Sequence, residues 1–130
     1  MTAAWSRGNR IGLGMTIIMG VANILLGLIN LPALLHTAGT VADGPPAGVL
    51  AVDLVLGVIM VVSAGFAWPT VSRAGATIAS VANMLQGLTV IPAFLMPAPL
   101  TWRVLAGVIV AWTTVSVALT LSRSRAMRGA

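Results

Sequence analysis

Several residue types are scarce or missing in this chain of 130 residues. It has no cysteine, glutamate, tyrosine or lysine, and its acidic side chains are Asp43 and Asp53 alone. The absence of cysteine excludes disulfides, thiolate metal ligands and cysteine nucleophiles. The lone histidine, His36, shares a predicted loop with Asp43, and two such residues are too few for a metal site, which typically takes three or four protein ligands. We therefore expect no metal, cofactor or enzyme activity.

Charge is scarce as well. Charged residues make up 7% of the chain, hydrophobic residues make up 58%, and the mean hydropathy is +1.05. A soluble domain carries roughly 25% charged residues, so this composition predicts that the lipid bilayer is the main solvent and partner. The net charge of +5 comes from arginines that are not interleaved with aromatic residues, and it does not indicate a nucleic-acid partner.

Long apolar segments are what the chain does contain. Crossing the hydrocarbon takes about 20 mainly apolar residues, and four segments qualify: 11–35, 47–68, 74–96 and 104–121. Pro69 is expected to end the second helix at Trp68. The first segment is interpreted as a span and not as a cleaved signal peptide, because its 25 residues exceed the roughly 7–15 of a signal h-region.

The arginines predict the orientation. Positively charged residues favour the cytoplasmic side of a membrane. The first interhelical loop has no arginine, and the third has only Arg103 at its edge. We therefore expect a multi-pass protein of the cell membrane (plasma or inner) with short cytoplasmic termini. The arginines assigned to the cytoplasmic side are Arg7, Arg10, Arg73, Arg123, Arg125 and Arg128.

An internal repeat links the first and third segments. VANILLGLINLPALL at 21–35 and VANMLQGLTVIPAFL at 81–95 match at nine of fifteen positions. Two spans separate corresponding points, so the copies are expected to run in the same direction. The second and fourth segments match more weakly, through AGVL at 47–50 and AGVI at 106–109. The predicted fold is an all-α membrane domain covering 1–130, with four transmembrane helices in two parallel helical-hairpin repeats, 11–68 and 74–121, forming a compact bundle.

Small and amide side chains share one helical face in each copy. Small residues let helices approach closely, and an amide in hydrocarbon needs a partner on a neighbouring helix. We expect the two faces to meet each other or a shared bundle axis. The members are Gly20, Asn23, Gly27 and Asn30 in the first span, and Ser80, Asn83 and Gly87, with Gln86 beside them, in the third.

Asn23 and Asn83 lie near the middle of their spans and are expected to meet at one depth. Two interpretations fit this pair: a hydrogen bond between packed helices, or the polar lining of a path for a solute or an ion. Pro32 and Pro92 follow the asparagines by nine residues. Because proline lacks the N–H that a helix needs, each is predicted to end or kink its helix.

Asp53 is the acid inside a predicted span, where an ionised side chain costs about 2.5–3.5 kcal/mol on insertion scales. It lies six residues inside the second span, about 9 Å by helical rise. Asn30 lies at nearly the same level, which predicts an Asn30–Asp53 hydrogen bond, and Arg103 is a further candidate partner. The cluster is either structural or involved in proton or cation coupling.

Trp112 falls near the middle of the fourth span, where it either packs between helices or stacks on a ligand. Two functions remain compatible with the whole sequence. The first is an accessory or scaffold subunit that acts through helix–helix packing, in a homo-oligomer or a larger membrane complex. The alternative is a minimal oligomeric transporter or channel for a small solute, a proton or a cation.

Overall fold

The computed structural model describes residues 4–30, 47–95 and 99–122. This part of the chain is all-helical, with four longer helices and one helical turn. Three of them contain segments long and apolar enough to cross a membrane, Arg7–Ile29, Gly48–Thr70 and Leu100–Leu121. The helices are α1 (Arg7–Ile29), α2 (Ala47–Thr70), α3 (Arg73–Leu88), the short α4 (Pro92–Leu95) and α5 (Leu100–Leu121).

The four longer helices form a bundle with α1 and α3 on one diagonal. Each of these two contacts both α2 and α5, whereas α2 and α5 do not contact each other in the described residues. Neighbouring helices are antiparallel: Gly20 of α1 lies against Gly57 of α2, and Gly27 lies against Leu54. As a result, α1 and α3 run in the same direction through the bundle.

The residues that precede α1 contact the C-terminal end of α2. Ser6 and Asn9 form a capping box at the start of α1, with Oγ of Ser6 accepting from the Asn9 N–H at 3.1 Å. The buried Trp5 donates its indole N–H to the carbonyl of Ala67 at 2.9 Å. The guanidinium of Arg73 lies 5.3 Å from the centre of the Trp5 ring, close enough for a cation–π contact.

The connection between α2 and α3 is two residues long. α2 continues through Pro69 to Thr70, two residues past its predicted end at Trp68. Trp68 is therefore helical, against the preference of a pre-proline residue for extended backbone. Val71 adopts the left-handed conformation (φ 53°), and the N–H of Ser72 donates to the carbonyl of Ala67 at 3.2 Å, as in a Schellman motif.

The third predicted span, 74–96, is divided in the structure. α3 ends at Leu88 after 16 residues, and α4 begins at Pro92. Proline at position 92 cannot donate to the carbonyl of Leu88, which accepts instead from the N–H of Ile91 at 3.2 Å. The prediction that Pro92 ends or kinks its helix is confirmed, whereas Pro32 lies outside the described residues.

The other predicted boundaries shift modestly. α1 starts at Arg7, before the segment 11–35, and ends at Ile29; positions 31–35 lie outside the described residues. α5 starts at Leu100, four residues before the segment 104–121, and so includes Arg103. In both cases the helix extends beyond the apolar run into an arginine-bearing turn.

Glycine makes the closest contacts between α1 and α2. A Cβ on Gly20 would lie 2.8 Å from Cγ2 of Val61 and 2.9 Å from the carbonyl oxygen of Gly57. A Cβ on Gly27 would lie 2.9 Å from Cδ1 of Leu54. These two predicted packing residues therefore lie in a helix contact, but they face α2 and not α3.

Glycine also makes the closest contacts with α5. A Cβ on Gly12 of α1 would collide with the backbone nitrogen of Thr120, and one on Gly87 of α3 would lie 3.0 Å from Cγ2 of Thr113. Of the two arrangements expected, direct contact between the two glycine faces does not occur, because α1 and α3 are diagonal partners and each presents its glycines to an adjacent helix. Ser80, the fourth predicted packing residue, is buried in α3.

We predict that Gly20→Ala lowers the free energy of unfolding by about 1–3 kcal/mol, because the added methyl group overpacks the contact with Gly57 and Val61. Gly65→Ala is the matched control, since no atom lies within 4 Å of a Cβ at that position of α2. Unfolding in detergent micelles measures both changes. Equal stabilities of the two variants would contradict the close α1–α2 contact.

Candidate functional site

The interior of the bundle is unusually polar for a chain of this composition. Hydroxyl and amide side chains from α1, α3 and α5 are at least nine-tenths buried, together with the carboxyl group of Asp53 on α2. Such groups cannot be satisfied by hydrocarbon, so their partners have to come from the protein or from bound water. The buried polar residues described are Asn9, Thr16, Asn23, Asp53, Ser80, Asn83, Gln86, Thr113, Ser116 and Thr120.

Asn83 is the centre of the best-connected cluster. Its Nδ2 donates to Oγ of Ser116 at 2.7 Å and lies 3.5 Å from Oγ1 of Thr16. Its Oδ1 accepts from Oγ1 of Thr113 at 3.4 Å. One amide thus connects α3 to α5 and, across the diagonal, to α1. This arrangement corresponds to the structural interpretation of Asn83, as a hydrogen-bond partner between packed helices.

A second amide closes one end of the bundle. Asn9, completely buried, donates through Nδ2 to the carbonyl of Ser122 at 2.7 Å and to that of Leu119 at 2.9 Å. The last carbonyls of a helix have no intrahelical donors. Asn9 at the start of α1 therefore caps the end of α5.

Asp53 lies at the opposite end, beside the end of α3. Its Oδ1 is 2.8 Å from Oγ1 of Thr89, and this hydroxyl is also 2.6 Å from the carbonyl oxygen of Gln86. Thr89 directly follows the last residue of α3, so the carboxyl group of α2 contacts the terminus of a helix. The side chain of Asp53 is 7% exposed.

The predicted Asn30–Asp53 hydrogen bond is wrong. Asn30 caps its own helix, and its Nδ2 donates to the carbonyl of Leu26 at 2.8 Å. Arg103 is exposed on α5, which does not contact α2 in the described residues, and Asp53 makes no ion pair there. Thr89 occupies the position beside the carboxyl group because α2 and α3 are adjacent and antiparallel.

Asn23 and Asn83 do not meet at one depth. Asn83 reaches Thr16, which precedes Asn23 by seven residues, or about 10 Å along the helix axis. Asn23 lies at the level of Gly57, where a glycine Cβ would be 3.0 Å from the Cβ of Asn23. The two copies of the repeat are therefore offset along the bundle at the level of their asparagines.

Three buried polar atoms lack a hydrogen-bond partner among the described residues: Nδ2 of Asn23, Oε1 of Gln86 and Oγ of Ser80. Met19, four residues before Asn23, packs against the apolar cluster of Leu56, Met60 and Ala82. The unpartnered amide donor lies on α1, and the unpartnered amide acceptor lies on its diagonal partner α3. A bound water satisfies such a group when it makes the missing hydrogen bond.

A cavity of about 520 Å³ lies between α3 and α5. Its lining is almost entirely apolar, and Asp53, Asn23 and Asn83 do not contribute to it. Of the buried polar residues described, Thr113 alone lines this space, so the cluster as a whole does not converge on it. The lining residues are Met84, Gly87, Leu88, Ile91, Phe94, Val110, Thr113, Thr114, Val117 and Ala118.

Trp112 packs between helices. Its indole N–H donates to the carbonyl of Met15 on α1 at 3.0 Å, so its polar atom is used inside the bundle. Among the residues that the structure describes, no group of three or more histidine, cysteine or acidic side chains lies close enough to hold a metal ion.

Comparison with protein-family models, with curated proteins and with solved structures finds no match for this chain. Its function therefore has to be argued from its own residues.

Sequence reasoning missed the hydroxyl partners of the amides and of Asp53. Thr113, Ser116 and Thr120 recur on α5 at intervals of three and four residues, which places them on one helical face. That spacing was the available signal for the partners of Asn83. Thr89 had a weaker signal, since it follows a glycine-containing helix end and precedes Pro92.

We predict that Asn83→Ala lowers the free energy of unfolding by about 1 kcal/mol more than Asn23→Ala does. Both changes remove a buried amide from the same kind of helix, but Asn83 has three hydroxyl partners and Nδ2 of Asn23 has none in the described residues. Unfolding in bilayers or micelles measures the difference. Equal losses would show that side-chain volume, and not hydrogen bonding, sets the contribution of Asn83.

Proposed function

We propose that this chain is a small scaffold or accessory protein of the cell membrane that acts through helix–helix packing, beginning with association with a second copy of itself. The observation that carries the proposal is an exposed stripe of small residues on α5. The glycines that face inward are occupied by contacts within the bundle, and this outer stripe is not.

The stripe consists of Gly107, Ala111, Thr114 and Ala118. At 100° per residue these positions lie within about 60° of one another around α5. No atom lies within 4 Å of a Cβ at Gly107, and the other three residues are exposed. The hydroxyl of Thr114 donates to the carbonyl of Val110 in its own helix, so its methyl group is available for packing.

Such a stripe favours another helix over lipid chains. Small residues at spacings of three and four let two helix backbones approach closely, and this is a major source of helix association in membranes. The apolar cavity between α3 and α5 borders the stripe through Thr114 and Ala118. In a symmetric pair of α5 helices, the larger side chains that flank the stripe of one copy would cover the apolar cavity of the other copy.

We predict that Gly107→Leu weakens self-association in bilayers by at least tenfold, because the added side chain keeps the two backbones apart. Gly65→Leu is the matched control: it enlarges an equally open glycine on α2, away from α5. Energy transfer between labelled copies, measured over a range of protein-to-lipid ratios, gives the dimer fraction. A monomeric wild type, or equal association of the two variants, would contradict the proposal.

The proposal places α1, α2 and α5 across the membrane with both termini in the cytoplasm. The support for this orientation is the distribution of arginine: Arg7, Arg10 and Arg73 lie at one end of the bundle, together with the end of α5. We also propose that the two helical hairpins are parallel copies, on the strength of the repeated segments at 21–35 and 81–95. No catalytic activity is part of the proposal.

A second function, proton or cation transport in a small oligomer, is favoured by the buried carboxyl group of Asp53 and by the unpartnered atoms of Asn23 and Gln86. We predict that a transporter would show flux in liposomes that Asp53→Asn abolishes, because the amide cannot exchange a proton or balance a cation. A fluorescent pH indicator inside the liposomes measures proton flux. Gly65→Leu controls for reconstitution, and absence of flux from the wild type would favour the scaffold function.

A further inference from the structure

Thr89 has one hydroxyl hydrogen and two oxygen atoms within hydrogen-bond distance as acceptors. Its Oγ1 lies 2.6 Å from the carbonyl oxygen of Gln86 and 2.8 Å from Oδ1 of Asp53. Among the serines and threonines that the structure describes, Thr89 alone faces two such oxygens. Ser116, by comparison, donates to the carbonyl of Thr113 and accepts from Asn83, so each of its contacts has a hydrogen of its own.

Both contacts of Thr89 have the length of full hydrogen bonds. Oxygen–oxygen hydrogen bonds are 2.5–3.0 Å long, with a mode near 2.7–2.8 Å. One hydrogen can be shared between two acceptors in a three-centre bond, but each contact then departs from the linear arrangement in which a hydrogen bond is strongest. A second hydrogen would allow both contacts to be full hydrogen bonds.

Of the two groups that contact Thr89, the carboxyl group of Asp53 and the carbonyl of Gln86, only the carboxyl group can supply that hydrogen. The carbonyl of Gln86 is an acceptor, whereas a carboxyl group becomes an O–H donor when it is protonated. The hydrogens then form a continuous chain, in which Asp53 donates to Oγ1 of Thr89 and Thr89 donates to the carbonyl of Gln86.

We propose that Asp53 is a proton-binding site, and that the bound proton joins α2 to the end of α3. In this arrangement the neutral acid is the donor that completes the chain through Thr89. Loss of the proton leaves one hydrogen for two acceptors, which weakens the contact between α2 and the end of α3.

Among the described residues, no charged side chain neutralises the carboxyl group of Asp53. α2 packs against α1 and α3, whose charged residues are Arg7, Arg10 and Arg73, all at the opposite end of the bundle. Arg103 lies on α5, which does not contact α2 in the described residues. Within those residues Asp53 makes no ion pair, and an uncompensated charge at a buried membrane position is costly.

One of the unpartnered amides adjoins this site. Gln86 supplies the carbonyl that ends the hydrogen chain, and its own side-chain Oε1 is buried without a donor in the described residues.

Infrared spectroscopy of the full chain in bilayers tests the proposal directly, because Asp43 and Asp53 are the acidic side chains of the sequence. At neutral pH we expect the wild type to show the carbonyl stretching band of a protonated carboxylic acid. The band is expected to persist in Asp43→Asn and to disappear in Asp53→Asn. A wild-type spectrum with carboxylate bands alone would overturn the proposal, as would a band lost in Asp43→Asn and kept in Asp53→Asn.

Thr89 provides a second test that does not depend on how Asp53→Asn folds. Thr89→Ser keeps the hydroxyl, so the band is expected to stay at the wild-type frequency. Thr89→Val removes the acceptor at nearly constant shape, and the band is expected to move to higher frequency as the acid loses its hydrogen bond. An unchanged band in Thr89→Val would overturn the role of Thr89. These measurements do not involve the α5 stripe, so their outcome is separate from that of the self-association experiment.

Discussion

Polar side chains inside a membrane bundle depend on the protein for hydrogen bonds, because the surrounding hydrocarbon offers none. In this chain that constraint accounts for most of the interior. Asn83 finds its partners on α5 and α1, Asn9 caps the last carbonyls of α5, and Asp53 contacts the hydroxyl that follows α3. Each of these contacts joins two helices, so the same bonds that satisfy the amides also determine which helices are neighbours.

Close helix packing makes those bonds geometrically possible. Hydroxyl side chains are short, and they reach an amide on the next helix only where the two backbones approach closely. Gly12 brings α1 against α5 near Thr120, and Gly87 brings α3 against Thr113, which is one of the partners of Asn83. The glycines and the polar cluster are therefore parts of one arrangement, and larger residues at these positions would separate the donors from the acceptors.

Helical content and the approximate segments were predictable, because the length of apolar runs depends on local composition alone. The partner of Asp53 was not, since it depends on the turn between α2 and α3. Asp53 and Thr89 lie eighteen residues before and after Val71, so a hairpin closed at that residue brings them level. Pro69 suggested an earlier helix end, and the left-handed closure at Val71 could not be inferred from a β-branched residue. The Asn30–Asp53 pair failed for this reason.

The two-residue connection at Val71 and Ser72 has a consequence for biogenesis. Among the longer helices in the described part of the chain, α3 alone lacks the length and composition of a membrane span. It carries Ser80, Asn83 and Gln86 on its buried face. Released alone into a bilayer, it would expose those groups to lipid. Because α3 is joined so tightly to the strongly apolar α2, it would enter a bilayer as half of a helical hairpin. Its insertion would then be coupled to that of the helix synthesised immediately before it.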